Sequence, residues 1–172
     1  SYASRKELGG GVLLSFIHEI NYLRWIIGEP NSIYAVGGKY SSLEIDVEDV
    51  VSVLMTFNNG SNEIPVYLHL DYIQCPPSKK LTIICDKGKI VLDFVKSSLI
   101  VNNITGENVI NKTIKNFNRN MMFIDEIKHY FSCYEKDLET KIPLREGIMD
   151  LMVVKSIYDS IRNRCLVFNE KA

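Results

Sequence analysis

A histidine followed by a glutamate opens the most chemically suggestive stretch, His18-Glu19-Ile20-Asn21-Tyr22. It has the outline of H-E-x-x-H, but position 22 is tyrosine. The second imidazole of a helical zinc site is missing, and a zinc-protease reading fails. On a helix of about 100° per residue, His18 shares a side with Leu14, Asn21, Tyr22 and Trp25, and Ser15 lies one turn earlier. Such a mixed polar and aromatic face beside an apolar stripe either lines a pocket or buries a core histidine satisfied by a backbone carbonyl. Gly9-Gly10-Gly11 precede this stretch. No strand leads into them and their spacing is not G-x-G-x-x-G, so they are not a dinucleotide fingerprint. They read instead as a close approach of backbone to something at a helix N-terminus.

The other candidates are weaker. His69 and Asp71 share one strand face and could pair at a site, but read rather as the solvated side of an antiparallel strand. His129 reads as a surface residue. Cys75, Cys85, Cys133 and Cys165 have no C-x-x-C spacing and do not cluster with a histidine. Zinc ribbons, thioredoxin-like chemistry and a metal site are therefore excluded. The thiols read as reduced and mostly buried in a cytoplasmic protein. Nothing near Cys75 would lower its pKa. Neither G-x-S-x-G nor a P-loop occurs, and the N-x-S/T sequons at Asn59, Asn103 and Asn111 read as chance.

The elements that must position these residues follow from the hydrophobic period. Leu13, Phe16, Ile17, Ile20, Leu23 and Ile27 fall at helical spacing between Gly11 and Gly28, where Glu29-Pro30 stops the pattern. Strand signals follow over 33–40, 50–57, 64–73, 81–86, 90–95, 99–104 and 109–114. Short turns join most of them, among them Asn58-Asn59-Gly60-Ser61, Lys87-Gly88 and Gly106-Glu107. Two helices close the chain. One spans 120–134 with Phe123, Ile127, Tyr130, Phe131 and Tyr134 as its stripe. The other spans 143–164 with Leu144, Ile148, Leu151, Val154, Tyr158 and Ile161. Helix, strands, then helices predicts an α+β fold: an open, mainly antiparallel sheet of about six or seven strands with helices packed on one face. The uncovered face, with Tyr67 and Ile73, predicts a homo-oligomer.

The 172 residues read as a single domain, 1–172, with 46% hydrophobic and 24% charged residues. A net charge of −1 leaves no basic field for nucleic acid. No apolar run reaches the roughly 18 residues of a membrane span. The N-terminus lacks the apolar region of a signal peptide.

Residues 7–25, from Glu7-Leu8-Gly9-Gly10-Gly11 through His18 to Arg24-Trp25, resemble the opening of the C-terminal domain in the glucose–fructose oxidoreductase / inositol dehydrogenase family (Gfo/Idh/MocA). The resemblance continues in Leu43-Glu44-Ile45-Asp46-Val47-Glu48-Asp49, in Asp71-Tyr72-Ile73-Gln74-Cys75-Pro76 and in both final helices. It implies the substrate-binding and oligomerisation domain of an NAD(P)-dependent oxidoreductase acting on a sugar, cyclitol or sugar-nucleotide hydroxyl. NAD or NADP would be bound by an N-terminal Rossmann domain of the same polypeptide, absent from this chain. The chain begins without methionine close to the motif and reads as cut from something longer. No cofactor is expected on this chain alone, which would be inactive. By the same resemblance His18 is the catalytic acid–base histidine. Ser15, Asn21, Tyr22, Asp71 and Gln74 contact a sugar-like substrate, and Gly9, Gly10 and Gly11 lie near the cofactor. Ser15 and Asn21 stand where the family usually has aspartates, and Cys75 where it has arginine. A weakened enzyme or an altered substrate follows from those departures. A free-standing, non-catalytic binding or dimerisation module is the alternative.

Overall fold

The computed structural model describes residues 1–60 and 62–169. It divides into two compact units, Ser1–Ile73 with Lys141–Ala172, and Gln74–Thr140.

The first unit carries the N-terminal motif. Two short 3-10 turns, Tyr2–Ser4 and Lys6–Leu8, lead into the glycines. The helix expected over 11–28 forms as two pieces, α1 (Val12–Ser15) and α2 (Ile17–Ile27). The break is at Phe16, whose φ of −113 and ψ of 31 leave the helical region while its ring sits edge-on to Tyr72, centroids 5.7 Å apart. Gly28, at φ 113, ends α2 in backbone that favours glycine. Strands β1 (Pro30–Gly38), β2 (Val50–Asn59) and β3 (Asn62–Asp71) form an antiparallel meander. Ser61, part of the expected turn between β2 and β3, lies outside the described residues. Helix α4 (Leu144–Asn163) lies on β1 and against α2.

Period-2 burial does the folding work. Ile33, Ala35, Val51, Val53, Met55, Phe57, Leu68 and Leu70 face the helices and are buried with Leu13, Ile20, Leu23, Val153 and Ile157. The opposite face presents Tyr34, Leu54 and Tyr67 in one cross-strand row.

The second unit holds β4 (Lys80–Cys85), β5 (Gly88–Asp93), β6 (Ser98–Asn103) and β7 (Asn108–Thr113), a four-stranded antiparallel sheet in sequence order. It also holds helix α3 (Arg119–Glu135), capped by Asn118, whose side chain accepts from the Asn120 amide.

The α+β class and the antiparallel pairing are as expected. Among the described residues eight strands, rather than six or seven, split into two four-stranded sheets. The extra one, β8 (Val167–Phe168), is only two residues long and extends the first sheet in the order β3-β2-β1-β8. On α4 the buried stripe is Asp150, Val153, Val154, Ile157 and Ser160, whereas Leu144, Ile148 and Leu151 are exposed. Two polar members of the buried stripe are fully partnered, which hides it from a hydrophobicity count. The aromatic stripe of α3 is exposed along its length, with Tyr134 at 79%. The cysteines are not mostly buried: Cys133 is, while Cys75, Cys85 and Cys165 are exposed because they lie at a strand end or in connections. His129 is half-buried rather than a plain surface residue, its ring 3.6 Å from the Cys133 sulfur one helical turn on.

Candidate functional site

The glycine loop is where the chain folds back on itself most tightly. A Cβ on Gly10 would lie 2.6 Å from the carbonyl oxygens of Tyr2 and Ala3. A Cβ on Gly11 would collide with the Glu48 carboxylate. Each amide of the loop has a partner inside the chain. Gly9 donates to Lys6 O, Gly10 to Arg5 O, Gly11 to Ala3 O and Val12 to Glu48 O, at 2.9–3.2 Å. The Leu13 amide donates to Glu48 Oε1 at 3.2 Å, and the Tyr158 hydroxyl donates to the same oxygen at 2.9 Å. A helix start needs acceptors for its free N–H groups; Glu48 supplies two from 35 residues away. Its negative charge takes the place an external anion would occupy. The loop therefore does not fit the phosphates of a dinucleotide.

Beyond the loop come the residues singled out by type. Ser15 ends α1, and its Oγ accepts from the Tyr72 hydroxyl at 2.6 Å. Burial raises the Tyr72 phenol; the bond with Ser15 pulls the other way, and Glu48 and Tyr2 add to the rise. His18 stands on the first turn of α2 and is exposed, so it is not a core histidine. Trp25, 84% exposed, lies on the same side of the helix. Tyr22 is half-buried, and burial together with the neighbouring Glu19 pushes its phenol up to about 12.

Asn21 is engaged with α4. Its Nδ2 donates to Asp150 Oδ2 at 2.8 Å, while Arg24 Nη1 donates to Asp150 Oδ1 at 2.5 Å. The same guanidinium reaches Glu29 through Nε and Nη2, and Glu146 through its backbone oxygen and its carboxylate. Arg24 and Asp150 are both buried. The hydrogen bonds that Arg24 donates to Glu29 lead the rise of its pKa; burial opposes it and the bond with Asp150 adds to it. Both oxygens of one buried carboxylate are thus committed to α2, a turn apart.

Asp71, at the end of β3, accepts from the Ile73 amide at 2.8 Å. Its other oxygen lies 3.4 Å from His69 Nε2, whose Nδ1 is 2.9 Å from Ser52 Oγ. The His69–Asp71 pair therefore exists, on the outer face of the first sheet. Gln74 opens the second unit and is exposed. A further cavity of about 650 Å³ has Gly9, Gly10, Leu14, Glu48 and Tyr158 in its wall, without His18. Among the described residues no cluster of three or more His, Cys, Asp or Glu could hold a metal ion, and no helix is long and apolar enough to cross a membrane.

Three residues escaped sequence reasoning: Tyr72, Glu48 and Asp150. Tyr72 stands within a quoted motif just past the end of β3, but its partner is 57 residues away. Asp150 was masked because it shares a buried helix face with Val153, Val154 and Ile157, where a charge is not expected.

Sequence comparison matches residues 1–91 to the GFO/IDH/MocA C-terminal domain. No curated protein sequence matches the chain. Solved structures share the fold. Levoglucosan dehydrogenase in complex with NADH superposes with TM-score 0.85 at 15% identity over 100% of this chain and 54% of its own. The WlbA dehydrogenase from Bordetella pertussis, in complex with NADH and UDP-GlcNAcA, gives TM-score 0.72 at 19% identity, covering 98% of this chain and 48% of its own. The aldose-aldose oxidoreductase from Caulobacter crescentus, complexed with glycerol, gives 0.75 at 21%, covering 93% and 48%. The chain spans about half the length of the solved structures it matches.

Proposed function

Because the chain belongs to the GFO/IDH/MocA family through its C-terminal domain, we propose that it is the substrate-binding and oligomerisation half of an NAD(P)-dependent oxidoreductase. The substrate class is a sugar, cyclitol or sugar-nucleotide hydroxyl. The observation that carries this reading is His18: an exposed imidazole on the first turn of α2, which follows α1 and a glycine loop whose amides are all partnered within the chain. That leaves the loop a rigid support and the histidine the reactive group.

In this reading the His18 imidazole takes the proton of the reacting carbinol, a general-base step. NAD or NADP is held by an N-terminal Rossmann domain outside this chain, because the loop's amides are already used. Gly9, Gly10 and Gly11 flank that cofactor without binding it. Asn21 has given its amide to Asp150 and keeps Oδ1 to accept from a substrate hydroxyl. Tyr22 stays protonated at neutral pH and donates. Asp71 and Gln74 are carried over as substrate contacts from the family resemblance alone; Asp71 stands on the outer face of the first sheet, where it pairs with His69. The outer face of the first sheet, with Tyr34, Val36, Leu54 and Tyr67, is where two copies would associate.

The test is NAD(P)-linked oxidation of a panel of sugars and cyclitols by the full-length protein. Substrate-dependent reduction that His18→Ala lowers by about 100-fold supports the reading. Turnover untouched by His18→Ala refutes the role of His18, and no turnover with any panel member refutes the activity. Trp25 fluorescence of this chain alone should stay flat on addition of NAD(H) or NADP(H).

A further inference from the structure

Ser15 and Tyr72 form a pair that the charged groups of the site do not explain. Their oxygens are 2.6 Å apart, close for an O–H···O contact. Among the described residues the other hydrogen-bond partner of the Tyr72 hydroxyl, Ala3 O, is 3.5 Å away and too far to hold the proton in competition. Two hydroxyls carry two protons. The tyrosine's proton is spent on Ser15 Oγ. The serine's own proton has no acceptor among the described residues. Phe16 fixes the tyrosine ring edge-on at 5.7 Å, so the phenol is held in place by a neighbour of Ser15 itself. His18 lies three residues on, in the first turn of α2, across the break at Phe16.

We infer that Ser15 and Tyr72 act as one hydroxyl pair that donates a single hydrogen bond, through the Ser15 proton, to a neutral oxygen of the substrate beside the carbinol that His18 deprotonates. The acceptor is an uncharged hydroxyl or ring oxygen of a polyol. Tyr72 orients Ser15 and does not touch substrate: it is a positioning residue, and Ser15 the contact. The inference rests on the reading of the site given above. Its physical content is that a carboxylate at position 15 would be acceptor-only at neutral pH, whereas the hydroxyl pair is a directed donor. Burial keeps the phenol protonated, so the pair holds its donor character through neutral pH.

Two measurements separate this inference from the reading beneath it. The first needs no turnover. With ring-labelled tyrosine, the Tyr72 Cζ resonance is identified among the nine tyrosines by its loss in Tyr72→Phe. Levoglucosan, myo-inositol, glucose and glucuronate are then added in turn to the full-length protein. At least one is expected to shift Tyr72, and Ser15→Ala to abolish the shift. The second is kinetic. Ser15→Ala and Tyr72→Phe are each expected to raise KM about tenfold with kcat nearly unchanged, the signature of lost ground-state binding. The double variant should lose no more than either single one, because the pair is one unit. Ser15→Thr, which keeps the hydroxyl, should restore KM. A merely structural role would lower kcat through the active fraction and leave KM alone. A Tyr72 shift without NAD(P)-linked turnover sustains the pair and removes the oxidoreductase reading. Turnover with KM unaltered in both single variants removes the pair and sustains the reading. Neither shift nor turnover removes both.

Discussion

Replacing Asn21 by aspartate tests whether its amide is there for Asp150. The two side chains meet at 2.8 Å, Asn21 Nδ2 donating to Asp150 Oδ2. Asp150 is buried, and its other oxygen is held by Arg24 at 2.5 Å. Asn21→Asp puts a second carboxylate where the donor stood. At charge centres about 4 Å apart and an effective dielectric near 20, the repulsion is about 4 kcal/mol. Protonating one of the two carboxyls at pH 7 caps the cost at a similar figure, about 1.4 kcal/mol for each unit above a carboxyl pKa near 3.9. Arg24 offsets part of it. The expected loss at pH 8 is therefore about 3 kcal/mol.

The pH sign follows. The pair's folded pKa is raised above its unfolded value, so the penalty is fully present above the folded pKa. It shrinks as pH falls through that value and vanishes near pH 4. Urea unfolding followed by far-ultraviolet circular dichroism at pH 8, 6.5 and 5 reads this directly; Trp25 is too exposed to report on the core. Asn21→Asp combined with Asp150→Asn reverses donor and acceptor beside the same arginine, and should recover all but about 1 kcal/mol. A loss under about 0.5 kcal/mol at pH 8, or one that grows on acidification, would show that the amide is not chosen for Asp150.

Other positions give sharp expectations. Asp49 is buried and accepts from the Tyr40 and Ser41 amides and the Ser41 hydroxyl at 2.5–2.9 Å. Burial raises its carboxyl but those bonds outweigh it and leave the pKa below the ordinary range. Asp49→Asn should cost about 2 kcal/mol at neutral pH, and by the sign of the shift the gap should close as pH falls below about 4; circular-dichroism melts at pH 7 and pH 3.5 check both. Ser160 accepts from the Ala35 amide at 2.9 Å and donates to Cys165 O at 2.7 Å. Ser160→Ala should cost about 1–3 kcal/mol and speed hydrogen exchange at Ala35. Gly147 lies inside α4 with open space at its Cβ, so Gly147→Ala should stabilise by up to about 1 kcal/mol in urea unfolding. Gly10→Ala, with backbone oxygens at 2.6 Å, should destabilise in the same assay by at least about 1–3 kcal/mol.

What the sequence made legible was what one element states about itself. The alternation Ile64, Val66, Leu68, Leu70 against Tyr67, His69 is visible locally, and Leu68 and Leu70 are buried while Tyr67 and His69 are exposed. Each expected strand formed within a few residues of its expected span. What stayed illegible depends on partners far along the chain. Asp150 reads as an interruption of an apolar stripe until Asn21 and Arg24, more than 120 residues earlier, are seen to neutralise it. Ser160 lies outside the expected stripe, and its burial is explained only by the Ala35 amide of β1 that it accepts from. Placing α4 by hydrophobicity alone therefore turned it toward Leu144, Ile148 and Leu151, which the structure exposes.

The same reasoning decides what the glycine loop is for. Glycines ahead of a helix are the usual composition of an anion cradle, since free amides and the helix dipole both favour negative charge. Here the tightest of them, Gly10, makes room for the Tyr2 and Ala3 carbonyls, and Gly11 for the Glu48 carboxylate. The anion is therefore internal. Glu48 is fixed in turn by the Tyr158 hydroxyl from α4, so loop, α1 and α4 share one acid. A loop built around its own carboxylate repels a phosphate at close range. That arrangement leaves no place for a phosphate at this loop and makes it a support for the start of α1.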